Sequence, residues 1–284
     1  MRYMVKRNLL IFFRDKGSVF YSLLSVLIIV GLYILFLGDL MVRGVGDVAG
    51  ARFLMDSWIM AGLVAVTPFT TALGAMSSII VDKRYGLYKD FAASPLKRSV
   101  IAGSYIISGF FISLILTLIT FILSEVYIVV YGGRLLTAAA ALKTLLMILL
   151  TTVTASILMF YMVTSFKSIN AYSAASTVIG TLIGFLTGIY IPIGNLPEAV
   201  QTVIKLFPPS HVALLMRRIM MEQAEHVVFA GARPEVVEAF RVELGSAFKA
   251  GDALLDPVYS ILYVCAFIVV FFVLSLIRIR RKAD

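Results

Sequence analysis

The chain has 284 residues, 61% of them apolar or aromatic and 14% charged, where soluble domains run at roughly 45 to 50% and 25%. That surface cannot be solvated by water alone, so the composition excludes a soluble globular protein and makes lipid the main solvent. The single cysteine, Cys265, excludes an internal disulfide and a cysteine-based metal cluster, while the net charge of +9 leaves nucleic acid open as a partner until the positive charge is located.

Residues 1–16 are amphipathic. Val5, Leu9, Phe12 and Phe13 share a helical face, Arg7 and Arg14 lie opposite, and Leu10 and Ile11 blur the division. This pattern fits an interfacial anchor helix on an anionic leaflet or a helix kept for a partner. Six segments then reach the roughly 20 residues that cross about 30 Å of hydrocarbon as a helix: 17–37, 57–81, 99–130, 135–166, 168–191 and 257–277. The third holds only Glu125 and the fourth only Lys143; the others carry no charge. Unpaired amides are not tolerated in lipid, so each span must be helical. The first exceeds the apolar length of a signal peptide and reads as an uncleaved anchor.

The charges divide between the two sides. Arg2, Lys6, Arg7, Arg14, Lys16, Lys83, Arg84, Lys89, Lys97, Arg98, Lys167, Arg278, Arg280, Arg281 and Lys282 face only Asp15, Asp82, Asp90 and Asp284, fifteen bases against four acids and a balance of +11. The other side has ten bases and twelve acids, a balance of −2. The positive-inside rule puts both termini in the cytoplasm. The basic charge therefore orients the chain in a plasma (inner) membrane, with the bilayer as partner and no role for nucleic acid.

Between the spans, 38–56 is a short glycine-bearing outer loop and 132–134 a tight outer turn. The stretch 192–256 is an outer cap. Pro197 suits the first position of a helix whose face carries Val200, Val203, Ile204 and Phe207 before Pro208 and Pro209 end it, an interfacial or re-entrant segment too short to span. A second helix starts near Ser210, and a third runs from Pro234 toward Gly245 with Val237, Phe240 and Leu244 on one side. The cytoplasmic loop 82–98 carries Leu87, Tyr88 and Phe91 on one face of a short helix that ends before Pro95. Aromatic groups flanked by charge suit a docking knob for another protein or an interfacial helix on the headgroups.

Candidate chemistry is sparse. No Gly-x-x-x-x-Gly-Lys-Ser/Thr stretch occurs, so the chain cannot bind ATP as a P-loop protein does. His211 and His226, with Cys265 in the last span, give no metal-ligand spacing, and His211 reads as a helix-start or interfacial residue. In the fifth span Gly180, Gly184 and Gly188 recur every four residues, a face for close helix approach that serves internal packing, a dimer seam or a translocation wall. The second span carries Thr67, Pro68, Thr70 and Thr71, so it is a moving pathway helix or merely a bent one. Glu125 and Lys143 lie near the outer ends of their spans and are expected to snorkel. A secondary transporter or channel is the rival reading, and the lack of acids nearer mid-span argues against it.

The loop 82–97, with Asp82 and Lys83 followed by Gly86, Leu87, Ser94, Pro95 and Leu96, resembles the coupling region of the ABC-2 type permeases, the membrane subunits of ATP-driven exporters. Ile191, Pro192, Leu196, Pro197, Phe207, Pro208 and His211, with Arg217 and Arg218 ending the helix, resemble that family's re-entrant outer segment. The chain differs in opening the coupling stretch with Asp82 and Lys83, where the family often has glutamate and arginine. The resemblance implies that Gly86, Leu87, Tyr88, Phe91 and Pro95 form the coupling element, with Tyr88 and Phe91 in a cleft of a separate ATPase subunit and the helix 2–16 packed beside it. It implies a second permease subunit and places the fifth span near the interface between the two, so Gly180, Gly184 and Gly188, with Thr67 and Thr71 from the second span, are the expected dimer or pathway face. ATP and Mg belong to the ATPase, with no cofactor, metal or catalytic residue on this chain. The expectation is an all-α membrane protein of six transmembrane helices: amphipathic helix 1–16, spans one to five over 17–191, re-entrant and outer cap 192–256, and the last span with a basic tail, 257–284. Its cargo is hydrophobic or amphipathic, a drug, lipid or peptide.

Overall fold

A computed structural model describes residues 1–46, 48–166, 168–251 and 253–281. Lys167, Lys282 and Asp284, three charges of the basic side, lie outside the described residues. Helix α1 (Arg2–Arg14) leads into α2 (Lys16–Leu32) through Asp15, whose carboxylate caps α2 by accepting the Ser18 N–H at 3.2 Å and the Ser18 hydroxyl at 2.7 Å. A π-helical turn at Tyr33–Leu37 then carries the chain into α3 (Gly38–Val45). The turn closes on Gly38, whose N–H reaches the Tyr33 carbonyl; a Cβ at Gly38 would lie 2.9 Å from that oxygen. Gly38 thus sits inside a continuous helix, where the sequence reading ended the first span and began a loop. The first apolar span moves to Val26–Gly44, and the outer loop shrinks to a connection flanked by Gly46 and Gly50, with φ of 92° and 88°.

Helix α4 (Ala51–Arg84) outruns its expected 57–81 at both ends. It is followed by α5 (Leu87–Ala93), α6 (Arg98–Val130), α7 (Ala138–Val163) and α8 (Ile169–Leu186). Then come a 3-10 turn at Ile193–Asn195, α9 (Glu198–Lys205), α10 (Pro208–Met220), α11 (Glu222–Val228) and α12 (Pro234–Glu243). A small antiparallel hairpin, β1 (Lys249–Ala250) with β2 (Ala253–Leu254), precedes α13 (Pro257–Arg281). Among the described residues six helices are long and apolar enough to cross a membrane, as the all-α membrane reading requires.

Helix α4 is the axis of the bundle. It is enclosed along nearly all of its apolar length by α6, α7 and α10, whereas α2, α8 and α13 leave most of theirs exposed. Surfaces of that size need lipid or another subunit against them. At the N-terminal end of α4 Arg52 ties three elements together. It donates to Asp56 on its own helix at 3.1 Å and to Asp39 of α3 at 2.8 Å, reaches the Tyr127 hydroxyl of α6 at 3.2 Å, and lies over the Tyr131 ring at 4.7 Å.

Two expectations near this end change. The fifth span stops at Leu186 instead of 191, because Gly188 adopts φ 69° and reverses the chain. Glu125 does not snorkel: it is buried and accepts the Leu136 N–H at 3.0 Å, closing the turn between α6 and α7, while Lys143 is exposed. A carboxylate meets the orphan amide of the incoming segment more closely than water does here.

The re-entrant hairpin follows. Pro208 and Pro209 are the first residues of α10 instead of lying before a helix from Ser210, since a helix start has no use for their missing N–H groups. Helix α10 plunges between α4, α7 and α13 and carries a fully buried arginine. Arg217 donates from Nη1 to the Thr187 carbonyl at 2.9 Å and from Nη2 to the Gly188 carbonyl at 2.8 Å, and its guanidinium lies 4.8 Å from the Trp58 ring centroid. Trp58 in turn donates to the Leu244 carbonyl at 2.8 Å, fastening the outer cap to α4. His211 is buried too, not interfacial. Its Nε2 faces the Lys205 carbonyl at 2.8 Å and must carry the proton, which leaves Nδ1 to accept from the Ser260 hydroxyl at 2.9 Å. Arg217→Ala strands two buried carbonyls at the end of α8 and is expected to destabilise the fold by about 3 kcal/mol, read as a lower thermal midpoint of the detergent-purified chain. Gly62→Val should act in the same direction, because a Cβ there would lie 2.9 Å from Ile189 and 3.2 Å from Arg217.

Candidate coupling site and membrane groove

The loop after α4 is shaped by its backbone. Gly86 adopts φ 79°, a left-handed conformation that ends α4 and starts α5. Ser94 ends α5 in extended backbone, as a residue before proline prefers, and its hydroxyl caps the Phe91 carbonyl at 2.6 Å. Pro95 is exposed.

The structure separates the apolar residues that the sequence placed on one face. Tyr88 and Phe91 are half-buried and pack inward on the core, while Leu87 is exposed with Tyr85 and Leu96. What holds them inward is a residue on α1. Arg7 forms a two-pronged ion pair with Asp82, Nη2 to Oδ1 at 2.6 Å and Nη1 to Oδ2 at 2.8 Å, and its guanidinium lies 5.2 Å from the Phe91 ring centroid. Asp82 also accepts the Tyr105 hydroxyl of α6 at 2.5 Å. Asn8, next to Arg7, is buried and donates to Ser108 on α6 at 3.3 Å. The Asp82 carboxylate raises Arg7 above the ordinary arginine range. Asp82 thus joins α1, the end of α4 and the start of α6, and Arg7 extends the link to α5 through Phe91. Sequence reasoning missed this cluster; its one signal was an arginine on the polar face of 1–16 and a lone acid closing an apolar span.

A second feature is an open groove of about 580 Å³ between α2, α4 and α8. Hydroxyls of Ser22, Thr70, Ser77 and Ser173 line it beside Gly74 and Gly180. A Cβ at Gly74 would lie 2.5 Å from the Ser22 hydroxyl, so glycine sets how closely α2 approaches α4.

The expected dimer or pathway residues divide around this groove. Gly180 lines it, and a Cβ there would meet nothing within 4 Å. Gly184 is buried under the Tyr190 ring, and Gly188 lies past the helix in the reversing turn, so the four-residue repeat does not form one face. Thr67 and Thr71 are fully buried inside the subunit, donating to the Leu63 and Thr67 carbonyls at 2.7 Å each. Rotation along the helix brings Thr70 to the groove in their place.

The architecture is that of a multi-pass helical membrane protein in which the loop carrying α5 is braced by the preceding amphipathic helix α1. A family model described as "ABC-2 family transporter protein" matches residues 51–277. The chain belongs to that family and is a membrane permease of the ABC transporter type. Comparison with curated proteins finds no match. A double-mutant cycle between Arg7→Ala and Asp82→Ala, read as thermal stability of the purified chain, should return a coupling of about 1 to 3 kcal/mol, the range for groups in one hydrogen-bonded charge network.

Proposed function

We propose that the chain is the permease subunit of an ATP-driven exporter. It pairs with a second permease subunit and with separate P-loop ATPase subunits that bind ATP and Mg, in a plasma membrane with both termini cytoplasmic. The observation that carries this reading is the Arg7–Asp82 cluster, which makes α1, the coupling helix and the ends of α4 and α6 one mechanical unit. A push on that unit is delivered along α4, the most enclosed span, to the rest of the bundle. Gly86, Leu87, Tyr88, Phe91 and Pro95 are the proposed coupling residues. Leu87 and Pro95 supply the outward surface, and half-buried Tyr88 and Phe91 transmit force inward. The balance of +11 on one side and −2 on the other supports the orientation.

The hydroxyl-lined groove, flanked by the exposed faces of α2 and α8, is the proposed seam with the second subunit and the wall of the path. Its wall is hydroxyl and apolar apart from Asp15, the one charged residue that lines it among the described residues, and it suits a hydrophobic or amphipathic cargo, a drug, lipid or peptide.

In proteoliposomes containing the chain and its copurifying ATPase, Phe91→Ala and Tyr88→Ala should cut ATP-driven transport at least about tenfold, with membrane insertion and ATPase copurification retained. Unchanged transport overturns the coupling role, and ATP-independent flux by the isolated chain would favour a secondary transporter. Gly180→Leu fits the open groove of one subunit, so it should leave the thermal midpoint unchanged while abolishing the dimer or transport. Loss of neither removes the groove from the seam.

A further inference from the structure

At the same end of the bundle as α5, a separate cavity of about 390 Å³ opens between α4, α5, α6, α7 and α13. Four of these elements each contribute one cation to its wall: Lys83, Lys89, Arg98 and Arg278. No carboxylate lines it among the described residues. The nearest buried acid, Asp82, is held by Arg7 and Tyr105, and its charge is already matched there. Lys83 and Arg98 make further contacts of their own, so Lys89 and Arg278 carry the argument. Arg278 is oriented by stacking 5.3 Å from the Tyr161 ring centroid.

The inner wall is apolar, with Ile79, Ala102 and Phe160. Beside the cavity α13 exposes Phe272 and Leu276 to the surroundings of the bundle. A pocket with a cationic rim, an apolar floor and a lipid-facing helix at its edge matches an amphiphile whose anionic group ends in phosphate.

We propose that this cavity binds the phosphate headgroup of an anionic phospholipid. The proposed topology enters only in naming the leaflet, the cytoplasmic one. The headgroup bridges Lys89 on the coupling helix to Arg278 on the last span, so the bound lipid fastens α5 to α13, a connection that the Arg7–Asp82 cluster does not supply.

The test uses the full chain in mild detergent, offered phosphatidylglycerol and phosphatidylcholine, with retained lipid counted by native mass spectrometry. It needs neither ATPase nor an oriented membrane, so its outcome is separate from that of the proposed function. The wild-type chain should retain phosphatidylglycerol in preference to phosphatidylcholine, and inorganic phosphate at about 10 mM should not displace it, since a free anion gains only the rim contacts. The double variant K89Q/R278Q should lower that retention at least about tenfold, the worth of a single one of the two charge-assisted contacts it removes. K89R/R278K should retain it, and so should R2Q/K6Q, which removes the same charge from an exposed part of α1. Equal retention of the two lipids, full displacement by inorganic phosphate, or an equal loss in R2Q/K6Q overturns the proposal. The first two arms need no variant and stand even if K89Q/R278Q does not fold.

Discussion

A helix that ends inside a membrane protein leaves its last carbonyls without amide partners and without water to replace them. Helix α8 meets this by turning back, with the Gly188 and Ile189 N–H groups donating to the Phe185 and Gly184 carbonyls and the Ser210 hydroxyl to that of Leu186, and Arg217 takes the two carbonyls that follow. Its two amino groups take the Thr187 and Gly188 carbonyls in one planar fork, and the indole of Trp58 covers its face. No ion pair to Arg217 is formed among the described residues; the negative end of the α8 dipole stands in for a carboxylate. Without that cation the Thr187 and Gly188 carbonyls of the reversal lose their donor. Without the reversal, α9 and α10 cannot re-enter the bundle, and the outer cap loses the Trp58 that anchors Leu244.

The opposite end of α4 is organised by a second arginine with a different chemistry. Arg7 meets a carboxylate and an aromatic ring, at a site that remains partly open to water. A buried fork on backbone carbonyls is rigid, because its acceptors cannot move without disturbing the turn that ends α8. A side-chain pair at the rim can shift by rotamer changes. The bundle is therefore fixed at the end held by Arg217 and adjustable at the end where α5 sits. That asymmetry suits the proposed coupling, with α4, enclosed along most of its length, joining the two ends.

The spans were legible because lipid imposes a length and an apolar composition that no soluble fold imitates, and the third span matches its expected 99–130 within a residue. The short helix before Pro95 and the helix from Pro234 were legible from proline placement. The end of the first span was not. Gly38 reads as a breaker in sequence, but it closes a π turn, and only the tertiary path distinguishes the two uses. Glu125 was misread for a related reason: its orphan amide partner, Leu136, lies eleven residues on, beyond any helical periodicity. The coupling cluster escaped because its members, Arg7, Asp82 and Tyr105, come from three separate elements. Helical spacing also could not tell a glycine repeat that lies on one face from one that spans a helix end, as Gly184 and Gly188 do.

The hydroxyls of the spans carry the last step. Ser113, Thr117, Thr144, Thr151 and Ser156 are buried and donate to carbonyls four residues back, so they satisfy themselves and allow dry helix packing. Ser22 and Thr70 in the groove spend their protons the same way, on the Ser18 and Thr67 carbonyls. Their oxygens keep free lone pairs, so apart from Asp15 the groove wall offers neutral acceptors. In the proposed path such a wall gives a passing cargo hydrogen bonds of about 1 kcal/mol each, enough to replace part of its hydration and too weak to trap it. A wall of carboxylates would hold a cation far more tightly and release it only on protonation. In the proposed path a change in the spacing of α2 and α4, which meet at Gly74, suffices to close the groove.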